Sequence, residues 1–371
     1  MPGLKAKSAA RTITRLKALG HVVTLITWLL AGPALHAASL TEYRVGGQNY
    51  IRLVDWARLH GLRYSRTTGS REAHARDNDT HVAVQIDASR IEFNEIAVWL
   101  SSPVLLADGQ VVVSSLDVRG VLDPLLHPRK AIPGRRIKTV CLDPGHGGKA
   151  PGQKSGSRLE KTYTLALAEE VRSRLIKAGF NVVMTRRSDE FVDLPERNAI
   201  ASRFQADLFV SLHYNASPDG GSEAGGVEVY AMTPAGTRST NISNDIGPLH
   251  AWAGNEFDAD NVQLAYQLQR SLVQRLSGTQ DRGVRRARFI VLRLAEMPAV
   301  LIEAGFMSNP GDARWIYSDT GRKRTAQAIA DGISAYKRAV ERPPTPNPPS
   351  PQRTTSSNSS SSSDVPDSAR N

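Results

Sequence analysis

The chain has 371 residues, of which 40% are hydrophobic and 22% charged, enough for a full-sized catalytic domain with a buried core and something smaller beside it. Its single cysteine, Cys141, excludes an internal disulfide and a thiolate metal site, so a metal would have to be held by His, Asp or Glu. The formal charge of +11 falls to +6 without Lys5, Lys7, Arg11, Arg15 and Lys17, which suits loose attraction to an acidic polymer; no basic run interleaved with aromatics points to nucleic acid.

Residues 1–38 read as a secretory signal. A basic start leads into the apolar run Val22 to Leu30, then Pro33 and the small-residue site Leu35-His36-Ala37-Ala38. The apolar run is shorter than the ~20 residues of a membrane span, so no stable span is expected after cleavage. No Arg-Arg pair indicates the folded-export route. The protein is therefore expected to cross the inner membrane and work in the periplasm or cell envelope. Nucleotide triphosphates are scarce there.

Residues 39–130 read as a small α+β domain with an internal repeat. Gly47-Gln48-Asn49-Tyr50-Ile51-Arg52-Leu53-Val54-Asp55 is echoed by Gly109-Gln110-Val111-Val112-Val113-Ser114-Ser115-Leu116-Asp117, with Gly, Gln and Asp at the same offsets. Runs such as Val82 to Ile86 and Ile91 to Phe93 have strand character. This region resembles the small repeat domain called copper-amine-oxidase-like, at the front of many exported wall proteins, with no copper role implied. Docking or spacing is its expected part. Residues 131–136, with Pro133, form a linker.

From 137 to 341, strand and helix alternate. The spacing predicts a helix over Leu159 to Ala178, with Tyr163, Leu167, Val171 and Leu175 on one face and Gly179 ending it. Further strands are expected at Phe180 to Thr185, Leu208 to Leu212, Gly226 to Met232, Phe289 to Arg293 and Pro298 to Glu303. Helices are expected at Pro195 to Gln205, Ala259 to Leu276 and Thr325 to Val340. The fold class is α/β: a mainly parallel twisted sheet with helices on both faces, preceded by the small α+β repeat domain. Residues 342–371 are rich in Pro and Ser, lack apolar residues to bury, and read as a disordered tail.

In an open α/β sheet, ligands collect beyond the carboxyl ends of the strands. His146 follows the first strand by four residues, His213 closes the Leu208 strand, Glu303 closes the Pro298 strand, and Glu160 opens the long helix at the same edge. Two imidazoles and one carboxylate suit zinc, and a second carboxylate outside the metal suits a proton shuttle. Placement alone leaves open which glutamate takes which part. A phosphate loop fails on detail. Asp143 stands where its first glycine should be, and Ala150 follows Gly148-Lys149.

Several other residues favour plainer readings. Arg186 could meet an acidic substrate. Arg197 reads better as a partner of Glu196 or Asp193 in a solvated network. Asp143 reads as a loop-fixer through hydrogen bonds to backbone. Asn215 could serve the site or shape the turn, and His250 beside Trp252 reads as a loop histidine.

The motifs Leu142-Asp143-Pro144-Gly145-His146-Gly147-Gly148, Glu160-Lys161, Met184-Thr185-Arg186, Leu194-Pro195-Glu196-Arg197-Asn198, Asp207 to Ala216 and Met297 to Asn309 occur in one order over about 137–340. In this the chain resembles the zinc-dependent N-acetylmuramoyl-L-alanine amidases that cut peptidoglycan. The resemblance implies Zn2+ held by His146, Glu160 and His213, Glu303 as catalytic carboxylate, and peptidoglycan as partner. It implies hydrolysis between N-acetylmuramic acid and L-alanine of the stem peptide. An exported zinc carboxypeptidase and a non-catalytic wall-binding protein are the rival readings. Some relatives block the site with an extra helix. Thr233 to Asp258 shows no apolar helical face here, so no self-inhibition is expected.

Overall fold

The computed structural model describes residues 40, 42–130, 136–217, 221–242, 245 and 247–341. The signal segment 1–38, linker residues 131–135 and the tail 342–371 lie outside them. All of the described residues belong to one compact unit.

The front region runs β1 (Glu42–Val45), β2 (Gln48–Arg52), α1 (Leu53–Leu59), β3 (Arg63–Ser65), β4 (Glu72–Arg76), β5 (His81–Gln85), β6 (Arg90–Phe93), β7 (Ile96–Trp99), β8 (Leu105–Ala107), β9 (Gln110–Ser114), α2 (Ser115–Asp117) and α3 (Asp123–Leu126). The two sequence echoes become β2 and β9, each leading into a helix. They pair antiparallel, with Ile51 opposite Val113, at the centre of a sheet ordered β1-β2-β9-β8.

The second region runs β10 (Thr139–Pro144), the short hairpin β11 (Lys154–Ser155) and β12 (Arg158–Leu159), α4 (Glu160–Lys177), β13 (Asn181–Met184), α5 (Leu194–Arg203), β14 (Leu208–Asn215), β15 (Val227–Met232), α6 (Asp258–Arg275), β16 (Asp281–Ala287), α7 (Ile290–Arg293), β17 (Ala299–Phe306), α8 (Pro310–Ile316) and α9 (Asp319–Glu341). Val140, Cys141 and Leu142 are fully buried because β10 has sheet neighbours on both edges and cover on both faces, which is why it reads as an unbroken apolar run. Burial also pushes the Cys141 thiol up, leaving it a neutral core group. Helix α4 turns Leu167, Ala168, Val171 and Leu175 inward. It stops where Gly179 takes φ +87°, with Phe180 N–H on Leu175 O (3.0 Å) and Gly179 N–H on Ile176 O (3.0 Å).

Among the described residues the main sheet has eleven strands, ordered β13-β10-β14-β17-β15-β16-β7-β6-β5-β4-β3. Strands β13, β10, β14 and β17 are mutually parallel; β15 runs against β17 and parallel to β16. Helices α4, α6 and α9 cover one face, where α9 packs on both α4 and α6, and α5 and α7 lie on the other. The α/β class holds, but the sheet is mixed rather than mainly parallel, because the antiparallel strands of the front region continue it. Phe289 to Arg293 is not a strand: the strand is Asp281–Ala287, and Ile290–Arg293 is a helical turn.

That unexpected strand joins the two regions. β7 pairs parallel with β16 at Val98 and Val284, so the front region's antiparallel meander continues the main sheet. Asp281 Oδ2 accepts from Ala97 N–H (2.8 Å), Arg282 O accepts from the Trp99 indole (2.8 Å), and Arg286 donates to Gly120 O (2.8 Å). The strands pack closely at Gly283, which has φ +90° and where an added Cβ would stand 2.7 Å from Ala97 O. Gly283→Ala is expected to lower stability by about 1–3 kcal/mol through backbone strain and this clash. Denaturant unfolding of the purified chain measures it, and an unchanged midpoint would refute the tight joint.

Candidate metal centre and cleft

The loop after β10 is strained and firmly held. Gly145 N–H donates to Leu212 O (2.9 Å), extending the ladder by one residue. His146 then takes φ +61° and Gly147 φ +127°, values that L side chains seldom adopt. The carbonyls of Pro144, Gly145 and His146 face inward. Two arginines meet them. Arg186 Nε donates to Pro144 O (3.0 Å) and its Nη2 to Gly145 O (2.9 Å); Arg197 Nη1 donates to Pro144 O (3.1 Å) and its Nη2 to His146 O (2.9 Å). Arg197 is balanced by Asp143, whose Oδ1 lies 2.6 Å from Nη1.

Here the structure corrects the sequence reading. Arg197 is 3% exposed and Arg186 2%, so neither sits in a solvated network. Asp143 fixes the loop, but through side chains: Thr185 and Arg197 donate to its Oδ1 and Ser211 to its Oδ2.

His146, Glu160 and His213 converge, with one ligand atom from each all lying within 4.8 Å of one another; among the described residues this is the only such group of His, Cys, Asp or Glu. Glu160 is the first residue of α4 and is buried. Its Oε2 lies 3.0 Å from His146 Nε2 and its Oε1 2.9 Å from His213 Nδ1. Gln153 N–H (2.9 Å) and Tyr214 N–H (3.1 Å) complete its hydrogen bonds. Burial alone would raise this carboxyl, but hydrogen bonds from the two imidazoles hold it well below the usual carboxylate range. Gly145 and Gly152 make room: a Cβ on the first would stand 2.3 Å from His213 Cε1, and on the second 2.4 Å from Glu160 Oε2.

Glu303 arrives beside the triad on β17. Its Cα partner on β14 is His213, so the two side chains share a face of the sheet. Neither residue closes its strand, since β14 runs on to Asn215 and β17 to Phe306. Both project from the sheet surface rather than from loops. Glu303 Oε2 is a buried oxygen with no hydrogen-bond partner. Burial, with the Glu160 and Glu228 carboxylates nearby, raises the Glu303 pKa well above the usual value.

The four side chains line a cleft of about 880 Å³. One wall is apolar, from Phe191, Val192, Leu194, Pro195, Phe289 and Ile290; Gln153, Tyr214 and Asn215 lie on its polar side. The Asn215 amide is committed inward, donating to Glu228 Oε1 (2.9 Å) and accepting from Ala216 N–H (2.8 Å), so it shapes the turn. His250 packs edge-on to Trp252, and neither lines the cleft. Of the described residues in Thr233 to Asp258 none lines the cleft, but the segment is not free of helix: Ala253–Phe257 forms a short 3-10 helix that leads into α6. Glu228, which occupies the β15 position opposite Glu303, was missed in the sequence. The alternation of Val227-Glu228-Val229 is its one sequence signal.

Two histidines and a carboxylate able to hold a metal, gathered at one edge of an α/β sheet with a second carboxylate left free in a cleft, make up a candidate hydrolytic site. Comparison with known proteins narrows this. The N-acetylmuramoyl-L-alanine amidase family matches residues 140–335, more than half of the sequence, and the chain belongs to that family. It is 36% identical over 200 residues to the YqiI protein of Bacillus subtilis (strain 168), covering 54% of this chain and 84% of YqiI. It is 35% identical over 201 residues to the N-acetylmuramoyl-L-alanine amidase LytC of the same organism, covering 54% of this chain and 36% of LytC. It is also 34% identical over 232 residues to the N-acetylmuramoyl-L-alanine amidase AmiC of Neisseria meningitidis serogroup B (strain MC58), covering 56% of this chain and 55% of AmiC.

Two substitutions test how the triad is built. Gly145→Ala drives a methyl group into the His213 ring and is expected to leave a folded chain that has lost its tight metal site, as read by chelator competition. Arg197→Met strands Asp143 and the loop carbonyls, and is expected to cost about 3 kcal/mol in equilibrium unfolding. A cost near zero would return Arg197 to the surface network.

Proposed function

We propose that the protein hydrolyses the amide between N-acetylmuramic acid and L-alanine of the peptidoglycan stem peptide, in the cell envelope, with a zinc ion held by His146, Glu160 and His213. The observation that carries this reading is the convergence of those donors beside a carboxylate oxygen that has no partner. Two imidazoles and one carboxylate are the donor set of catalytic zinc sites, and the glycines packed against them leave space for no further side chain. Zinc bound there would supply Lewis acidity toward water and the amide carbonyl.

The chain's own residues do the rest. Glu160 is fixed by two backbone N–H groups, so the histidines meet a carboxylate that cannot swing away. The arginine-held loop fixes His146. Glu303 keeps Oε2 free to take a proton from water and return it to the leaving amine nitrogen. The apolar wall excludes water from one side of the cleft and offers the sugar and alanine methyl a surface to pack on. Export is supported by the signal-like residues 1–38. Among the described residues no helix is long and apolar enough to cross a membrane.

The test uses purified wall and the full chain. Zinc is expected in the protein, and mass analysis is expected to find free, full-length stem peptides. Shortened peptides still joined to glycan would establish a carboxypeptidase instead, and no release at all a binding protein. Glu303→Ala is expected to keep zinc and lose turnover by about 10²–10⁴-fold. His146→Ala is expected to lose both. An active Glu303→Ala chain would overturn the proton-carrier role.

A further inference from the structure

Three strands place His213, Glu303 and Glu228 in one row across the sheet. Two adjacent carboxylates in such a row repel, unless one of them is neutralised. Glu228 is neutralised in full. It is 1% exposed, and its Oε2 meets Arg282 Nε (2.9 Å) and Arg285 Nε (2.8 Å), while its Oε1 accepts from Asn215 Nδ2 (2.9 Å) and Tyr230 OH (2.9 Å). Glu303, next in the row, has an oxygen with nothing on it.

Arg282 and Arg285 stand three apart, and in a regular strand their side chains would leave opposite faces. The register of β15 against β16 slips by one residue here: Val227 faces Asp281 and Glu228 faces Gly283. Arg282 is the extra residue of that bulge, so both guanidinium groups can converge on one carboxylate. Each is also braced by an aromatic ring. Arg282 lies 4.7 Å from the Phe306 ring centre, and Arg285 lies 4.7 Å from the ring of Trp99. Trp99 ends β7 of the front region, and its indole N–H holds the Arg282 carbonyl as well.

We propose that Glu228 is a positioning residue for Glu303, and that Trp99 makes the front region part of the apparatus that keeps it so. The inference rests on the amidase reading above. Glu228 engages two guanidinium groups that would otherwise have Glu303 as the next carboxylate in the row. A guanidinium fork on Glu303 would fill its free oxygen and stop it from carrying a proton. Trp99 holds Arg285 on Glu228 by stacking and Arg282 through its backbone. The front region thereby acts on the rate of the chemical step, independently of any hold it has on the wall.

The experiment uses the full chain on a soluble muropeptide, with kcat, KM, bound zinc and thermal midpoint measured for each variant. Glu228→Gln is expected to lower kcat about tenfold or more with KM and zinc content unchanged. Trp99→Ala is expected to lower kcat about three- to tenfold, whereas Trp99→Phe, which keeps a ring face for the guanidinium, retains most of it. Leu106→Ala, on the exposed surface of the same region, is expected to match the unaltered chain. Should Glu228→Gln fail to fold, the two Trp99 variants decide alone. The proposal is overturned if Trp99→Ala, folded at the assay temperature, keeps its kcat, if Trp99→Phe loses as much as Trp99→Ala, or if kcat falls only in step with zinc. An unaltered chain that releases no stem peptide removes the amidase reading and this inference with it, an outcome distinct from an active chain that is indifferent to Trp99.

Discussion

A buried ion pair, Asp143 with Arg197, underlies the site. Burying two charges costs several kcal/mol per ion before any compensation, so the pair is not explained by stability alone. Its explanation lies in the loop. To bring the His146 ring over the sheet edge, the chain must pass through left-handed torsions at His146 and Gly148, and the carbonyls before them turn toward the interior. Interior carbonyls need donors, and a guanidinium supplies several in one plane. Arg186 and Arg197 supply them, and Asp143 offsets the charge so introduced. The ion pair thus follows from where the histidine has to be. The second ligand follows in turn, because Gly145, placed by the same loop, is the residue that the His213 ring packs against.

The sequence made the outline of this plain for a physical reason. Val140-Cys141-Leu142 and Leu208 to Leu212 are apolar without interruption because strands covered on both faces have no solvent side. Their carboxyl ends are where polar chemistry is free to appear. His146 and His213 stand at those ends, and Glu160 follows the hairpin that returns to them. The arginines were harder to read. A charged residue is usually exposed, and only the fold shows that Arg186 and Arg197 face a set of inward carbonyls instead. The same expectation hid β16. Asp281-Arg282-Gly283-Val284-Arg285-Arg286-Ala287 lacks the apolar alternation of a half-buried strand, while Phe289-Ile290-Val291-Leu292 has apolar residues in plenty. The charged stretch is the strand because each arginine in it finds a partner: Glu228 for Arg282 and Arg285, and the carbonyls of Gly120 and Met232 for Arg286. The apolar stretch becomes a helical turn that buries Val291 and Leu292 under the sheet and leaves Ile290 at the cleft.

The boundary near residue 130 has a similar lesson. Composition and the internal echo mark residues 40–130 as a region of different character, and β2 and β9 show that the echo has a structural counterpart. Composition says nothing about edges, however. A sheet that ended at β16 would present unpaired backbone along a strand rich in arginine, and β7 takes that edge. The front region's antiparallel strands therefore extend the sheet whose other end carries His146. What looks in sequence like an appended module shares hydrogen bonds with the part that bears the chemistry.

That sharing gives the polar groups around the cleft a common logic. Asp143, Glu160 and Glu228 are buried carboxylates, and each has its oxygens met by arginines, imidazoles, hydroxyls, amides or backbone N–H groups. Glu303 lies among them, one strand from Glu228 and one from His213, with an oxygen that has no partner. In a protein interior such an oxygen costs free energy, and a fold with this many donors at hand could have satisfied it. The neighbouring carboxylates draw in the guanidinium, hydroxyl and amide groups beside them, and Glu303 Oε2 is left without a partner. Its freedom is therefore a property of the whole network, which reaches from the cleft-lining Asp143 and Asn215 as far as Trp99.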